Sequence, residues 1–317
     1  LTISLQWDGE VVQQHREAIN TANNLYDFLS QALHRVFPTA VSSHPAEGAL
    51  LAPLAVGGAM AVYKVTILFS RQPPQYLVCK IPHDRRIVYA SGTEHHTAVD
   101  ETSELLERLA TLAEYLARHA PGLFPRCGGV WHWCRADGMP QHLLAEEFIP
   151  GLSVERLKHQ YEQQLLAGQL DAATYQQRRI TLERLAITTF IRLWDCLGRQ
   201  TFTSDPSPWN ILVQQCPPDD TEVPVATIID LHSLEDHADL AYVVQRLAAV
   251  YGLRQEILDH VLLPGILQAL GIQEGRALLL AELPRLEAEA RQTRQNLGVD
   301  LQQPLLTAIR RLGMGET

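Results

Sequence analysis

At 317 residues, 46% hydrophobic and 20% charged, the chain has the composition of a folded globular protein, long enough for one large or two moderate domains; disordered and fibrous classes are excluded. A formal net charge of −10 excludes a broad nucleic-acid or anionic-membrane surface and leaves room only for a local basic pocket. Five cysteines, Cys79, Cys127, Cys134, Cys196 and Cys216, show no paired zinc or redox spacing and read as reduced, mostly buried thiols. No run of about 18 apolar residues occurs, and the opening residues lack a basic segment followed by an apolar core, so no membrane partner and a cytoplasmic location are expected.

Residues 1–45 read as an N-terminal helical extension packed on the next domain, with Ile19, Leu25, Leu29 and Leu33 at roughly helical spacing. From Leu50 the texture is β: LLAPLAV, AVYKVTILF and YLVCKI predict three antiparallel strands separated by Gly57-Gly58 and SRQPPQ. Gly57 and Gly58 are either hairpin punctuation or a turn whose bare backbone N–H groups approach phosphate oxygens. Lys80, inside the third apolar run, either snorkels from an edge strand or is held inward by a carboxylate.

Asp100 to His119 is the clearest helix, with Leu105, Leu109, Leu112 and Leu116 marking its inner face. Running that face back one turn reaches Glu101, the carboxylate best placed for Lys80. An acid in a first turn is also stabilised by the helix dipole without any partner. VWHWC and HLLAEEFI add two strands, so residues 46–149 predict a five-stranded antiparallel sheet with one main helix. Residues 150–317 predict a mostly helical second domain, with Ser153 capping SVERLKHQY, a helix over 182–197, and Pro264 and Pro284 kinking or dividing the last segments.

The informative stretch in that second domain is Phe202–His232. Ile211-Leu212-Val213 and Ala226 to Ile229 read as two short strands joined by a polar loop, which gathers Asp205, Asn210 and Asp230. Singly, each has an ordinary capping or turn role. Together they are oxygen donors suited to a hard cation such as Mg²⁺, hence to phosphate chemistry. The histidines have no metal-ligand spacing, and no transition-metal site is expected.

Five signals in order, a glycine turn, a strand lysine, a helix glutamate, D-x-x-x-x-N and a strand-end Asp, make residues 50–245 resemble the protein-kinase-like superfamily. Within it the resemblance is to small-molecule kinases of the aminoglycoside-phosphotransferase and choline-kinase type. It implies a bilobal α+β fold and ATP with Mg²⁺ as cofactors. Gly57 and Gly58 match the loop over the phosphates, Lys80 the lysine on the α and β phosphates and Glu101 its partner. Glu146, Glu147 and Phe148 resemble the hinge whose backbone holds adenine. Asp205 matches the catalytic Asp, with Asn210 and Asp230 as metal ligands. The chain departs from the pattern at Thr203-Ser204, where a His is usual, at Asp230-Leu231-His232, at Ser207 and in the short GGAM loop. A short interval from Asp230 to Asp239-Leu240-Ala241 favours a small-molecule hydroxyl as acceptor, with a pocket lined by C-terminal helices whose acids suit a cationic substrate. A kinase-fold regulatory module (pseudokinase) and an atypical protein kinase are the alternatives; the oligomeric state is left open.

Overall fold

The computed structural model of the chain describes residues 2–5, 19, 24–38, 46–56, 60–70, 72–82, 85–88, 94–97, 99–134, 138, 140–214, 225–231, 234–297 and 302–314. They fall into two compact units: residues 1–118 with 125–149, and residues 119–124 with 150–317.

The first unit runs β1 (Thr2–Leu5), α1 (Leu25–Val36), β2 (Ala46–Val56), β3 (Met60–Phe69), β4 (Gln75–Pro82), β5 (Arg85–Val88), β6 (Glu94–Thr97), α2 (Val99–His119), β7 (Cys127–Cys134) and β8 (Pro140–Glu147). Its main sheet has the order β1-β2-β3-β4-β8-β7, and β5 and β6 form a separate hairpin. The five expected strands are present and antiparallel. β1 adds a sixth, parallel to β2, from a stretch expected to belong to the N-terminal helical extension.

The alternation along β3 buries Ala61, Tyr63, Val65 and Ile67, and that along β4 buries Leu77, Cys79 and Ile81. Leu25, Leu29, Ala32, Leu33 and Val36 of α1 close over this face in one core. Fully burying each such leucine is worth about 1.5–3 kcal/mol. β7 begins earlier than the apolar run VWHWC suggested, because a bulge between Cys127 and Gly129 brings the two glycines into the strand. A Cβ on Gly128 would stand 2.8 Å from the Ala32 Cβ, so the bare backbone is what lets α1 lie this close.

The buried face of α2 runs through Leu106, Leu109, Ala110, Ala113 and Leu116, while Leu105 and Leu112 are only half-buried. The stripe is therefore rotated from the leucine pattern, because two small alanines share the contact with the leucines. The periodicity argument that pointed to Glu101 loses its basis with that rotation.

The second unit runs β9 (Leu152–Ser153), α3 (Val154–Leu166), α4 (Ala172–Cys196), β10 (Thr201–Thr203), a 3₁₀ turn (Pro208–Asn210), β11 (Ile211–Gln214), β12 (Val225–Ile228), β13 (Leu234–Asp236), α5 (Leu240–Tyr251), α6 (Gln255–Ile257), α7 (Leu263–Leu270), α8 (Ile272–Leu297) and α9 (Gln303–Met314). Ser153 caps α3 by accepting from the Arg156 N–H, as the sequence suggested, and Asp171 caps α4 in the same way through Thr174. α4 begins ten residues before the expected start and contributes Ile187, Phe190, Ile191 and Leu193, all fully buried. Its Trp194 Nε1 donates to the Ala238 carbonyl at 2.6 Å. Pro264 stands in the first turn of α7, directly after a π-helical turn at Leu258–Leu262. Pro284 lies inside α8 and does not divide it, contrary to expectation.

β12, β11 and β9 form one small sheet, and β10 pairs with β13. Gly151 (φ +151°) precedes β9 where its Cβ would be 2.4 Å from the Val213 carbonyl oxygen, so a side chain there would push β9 off β11. The result is an α+β protein whose first unit has a six-stranded sheet, five strands of it antiparallel as expected, with α1 and α2, and whose second unit is mostly helical, the architecture the kinase-like resemblance implied. Among the described residues no helix is long and apolar enough to cross a membrane.

Candidate active site

In the second unit, β10 ends at Thr203 and delivers the chain into the loop that carries Asp205. Thr203 Oγ1 accepts the Asp205 N–H at 3.2 Å, and Arg246, on α5, donates from Nη2 to the Ser204 carbonyl at 2.7 Å. Ser207 then caps the 3₁₀ turn by accepting the Trp209 N–H. The turn ends at Asn210, whose Nδ2 donates to both the carbonyl and Oδ2 of Asp205, each at 3.2 Å.

β11 and β12 are antiparallel with Ile211 opposite Ile228. One step past that pair, the Ile229 N–H donates to the Asn210 carbonyl at 2.9 Å. Asp230 is the next residue, half-buried, so the strand pair brings Asp205, Asn210 and Asp230 into one neighbourhood. With Nδ2 turned to Asp205, Oδ1 is the Asn210 atom left for a cation. Asp239, the first residue of D-L-A, caps α5 by accepting the Tyr242 N–H, and its other oxygen pairs with Arg285.

Arg246 is the residue that sequence reasoning missed here. It lies 42 positions from Ser204, and an arginine inside an apolar helix carries no signal of its own. The Thr203 hydroxyl and the Arg246 guanidinium together hold the backbone on either side of Ser204, just before Asp205.

In the first unit, Lys80 is on β4, a central strand between β3 and β8, and not on an edge. It is 7% exposed, and its Nζ lies 2.8 Å from Glu146 Oε2 on β8. Register accounts for the pair: Lys80 faces Leu144, and Glu146 is the diagonal neighbour on the same side of the sheet. Glu146 was expected to contribute backbone to a hinge, and its side chain has this buried ion pair besides. Glu147 forms a two-bonded pair with Arg126, 2.9 Å on each arm, which raises the guanidinium pKa through that hydrogen bond. Phe148 packs on Tyr76, and the Lys64 ammonium lies 4.1 Å and 4.5 Å from the two ring centres. The side chains of Glu146, Glu147 and Phe148 are thus all engaged in the first unit. Gly57 and Gly58 lie outside the described residues, as does the side chain of Glu101, which is in the first turn of α2.

His132 stands between two partners, His142 (Nδ1 to Nδ1, 2.6 Å) and Glu107 (2.7 Å). Among the described residues, no group of three or more His, Cys, Asp or Glu side chains is arranged to hold a metal ion.

No protein-family model matches the sequence, and no curated protein matches it. Among solved structures, the chain is similar to WaaP in complex with acyl carrier protein, at 14% identity and a TM-score of 0.40, over 77% of this chain and 87% of that one. It is similar also to a double-mutant form of the Mycobacterium tuberculosis PknI kinase domain, at 12% identity and a TM-score of 0.38, over 67% of this chain and 78% of that one.

Proposed function

We propose that the chain is a phosphotransferase that moves the γ-phosphate of ATP, with Mg²⁺, onto a hydroxyl of a small molecule. The observation that supports it best is Asn210: its amide holds Asp205 at 3.2 Å while its carbonyl takes the Ile229 N–H. An acceptor-orienting carboxylate and two oxygen ligands are thereby gathered by one loop and one strand pair. The donor set fits Mg²⁺, which is commonly bound by one or two protein oxygens with phosphate oxygens and water completing its shell.

In this reading Asp205 accepts a hydrogen bond from the acceptor hydroxyl and takes its proton as the new bond from that oxygen to the γ-phosphorus forms and the bond from the γ-phosphorus to the β-phosphate oxygen breaks, releasing ADP. Asn210 Oδ1 and the Asp230 carboxylate would hold the cation, which when bound would neutralise phosphate charge. The Arg246 and Thr203 contacts keep Asp205 in place. In the first unit Lys80 reaches the α and β phosphates, oriented by Glu146 as well as by Glu101, and the Gly57-Gly58 backbone covers the phosphates. The backbone of Glu146, Glu147 and Phe148 receives adenine. β13 and α5 follow Asp230 directly, without a long segment for a protein substrate, which favours a small acceptor.

A nucleotide-binding module with little turnover is the second reading, supported by Thr203-Ser204 in place of the usual His. Calorimetric titration with Mg-ATP, combined with ADP release over a panel of hydroxyl compounds, tests both. We expect binding and acceptor-dependent ADP release, with Asp205→Asn retaining binding and losing roughly 10²–10⁴-fold in turnover. Binding with no turnover on any acceptor favours the module, and no binding at all removes both readings.

A further inference from the structure

The chain leaves α2 at His119, and residues 119–124 belong with the second unit. Pro121 and Gly122 form the centre of a turn that the Leu123 N–H closes on the Ala120 carbonyl at 3.0 Å. Gly122 has φ +84°, the left-handed conformation that the third position of a type II turn requires. Beyond it Leu123 and Phe124 are fully buried, so the turn is anchored in a core.

This turn covers an open strand edge. β12 is the last strand of its sheet, with β11 on one side only. The backbone N–H groups along β12 alternate in direction, so that of Ile229 points to β11 and bonds the Asn210 carbonyl, while that of Ile228 points away. The outward one donates to the Leu123 carbonyl at 2.9 Å. Thr227 adds a second bond to the same turn: its Oγ1 donates to the Gly122 carbonyl, 105 positions away, at 2.9 Å and accepts from Gln214 Nε2 at 3.4 Å. With Thr227 only 1% exposed, these bonds stand in for water. Asp230 follows directly. The strand end that carries it is thus tied on both edges, by Asn210 on one and by Gly122 and Leu123 on the other. A tie on one edge leaves a strand end free to pivot, and ties on both fix the direction in which the next side chain leaves.

We propose that Thr227 is a positioning residue for the cation site: by clasping β12 to the Gly122–Leu123 turn it fixes the strand end from which the Asp230 carboxylate is presented. The word cation rests on the phosphotransferase reading, and the clasp does not. Thr227 acts through the backbone of Ile228 and Ile229 and not by contact with nucleotide or metal.

The test compares three variants of the full chain. Thr227→Val keeps the shape and removes the hydroxyl, Thr227→Ser keeps the hydroxyl, and Gly122→Ala adds a Cβ that meets nothing within 4 Å but strains the positive φ from the far side of the clasp. Amide hydrogen exchange, read by mass spectrometry over residues 225–231 and over residues 187–194 of α4, is combined with Mn²⁺ titration in the presence of ADP, followed by electron spin resonance. Thr227→Val is expected to speed exchange over 225–231 about tenfold without changing 187–194. It is expected to weaken Mn²⁺ binding about tenfold and to leave the affinity for ADP alone unchanged. Thr227→Ser is expected to restore most of both, and Gly122→Ala to shift both in the direction of Thr227→Val. Wild-type exchange in Thr227→Val, equal acceleration over 187–194, no recovery in Thr227→Ser, or wild-type behaviour of Gly122→Ala overturns the proposal. Mn²⁺ affinity unchanged in every variant keeps the phosphotransferase reading and removes Thr227 from it. A wild-type chain that binds no Mn²⁺ with ADP removes that reading, and the exchange rates then decide the clasp by themselves.

Discussion

Lys80 illustrates how much a single side chain depends on where its strand sits. From sequence alone it reads first as a surface lysine of an edge strand and second as an inward one, and its partner is sought on the following helix. The sheet places β8 beside β4, and the diagonal across that pair supplies Glu146 from a position 66 residues away in sequence. Replacing Lys80 by Met removes the ammonium from a carboxylate that is only 2% exposed. The variant is expected to lose about 3–5 kcal/mol of stability in urea titrations, and the double variant Lys80→Met with Glu146→Leu to recover most of it. A single variant as stable as wild type would show that the pair is not energetically coupled. Arg246 makes a second prediction at this scale, as a positioning residue. Arg246→Met removes the donor to the Ser204 carbonyl and is expected to lower kcat about tenfold while leaving the KM for nucleotide unchanged, with Arg246→Lys restoring part of the rate. Equal changes in KM and kcat, or no gain with Lys, would argue for a merely structural contact.

Between elements, close approach is bought by small residues that a reading of apolar periodicity passes over. α1 reaches β7 because Gly128 has no side chain, its absent Cβ lying 2.8 Å from Ala32 Cβ and 3.2 Å from the Ala145 carbonyl. Gly128→Ala is therefore expected to cost about 1–3 kcal/mol through overpacking, read as a lower denaturation midpoint with an unchanged slope. The same blindness explains α2: leucines were counted, alanines were not, and the true buried stripe uses both. Turn and cap chemistry was legible by contrast. Ser153 and the strands flanking the polar loop after Gln214 follow from residue type alone, because caps and β-branched runs act over a few residues. Pro264 directly follows the π-helical turn, and the His260 carbonyl four residues before it accepts from Arg184 instead, while nothing in the structure explains how Pro284 is accommodated in mid-helix.

Across the whole molecule, burial of weak acids sets the alkaline limit of stability. Burial pushes the Cys127 thiol from 9.0 up to about 11. Cys79 is raised by burial and then by Glu146, and Tyr63 and Tyr251 are raised chiefly by burial. Each of these folded pKa values lies above its unfolded value, so the folded state keeps protons that the unfolded chain has released. Their contribution is complete below pH 9.0 and is lost as pH rises through about 11 for Cys127 and further for the others. The melting temperature is expected to fall continuously over that interval, and a flat profile would contradict it. Both the five antiparallel strands and the D-x-x-x-x-N loop with its strand-end Asp were determined by the sequence itself, since alternation, turn residues and fixed spacing are local quantities. Only the tertiary structure decided that Glu146 meets Lys80 and that Arg246 holds the backbone before Asp205. Each of these joins residues far apart in the chain, and strand register and helix packing, which no short window of sequence contains, bring them together.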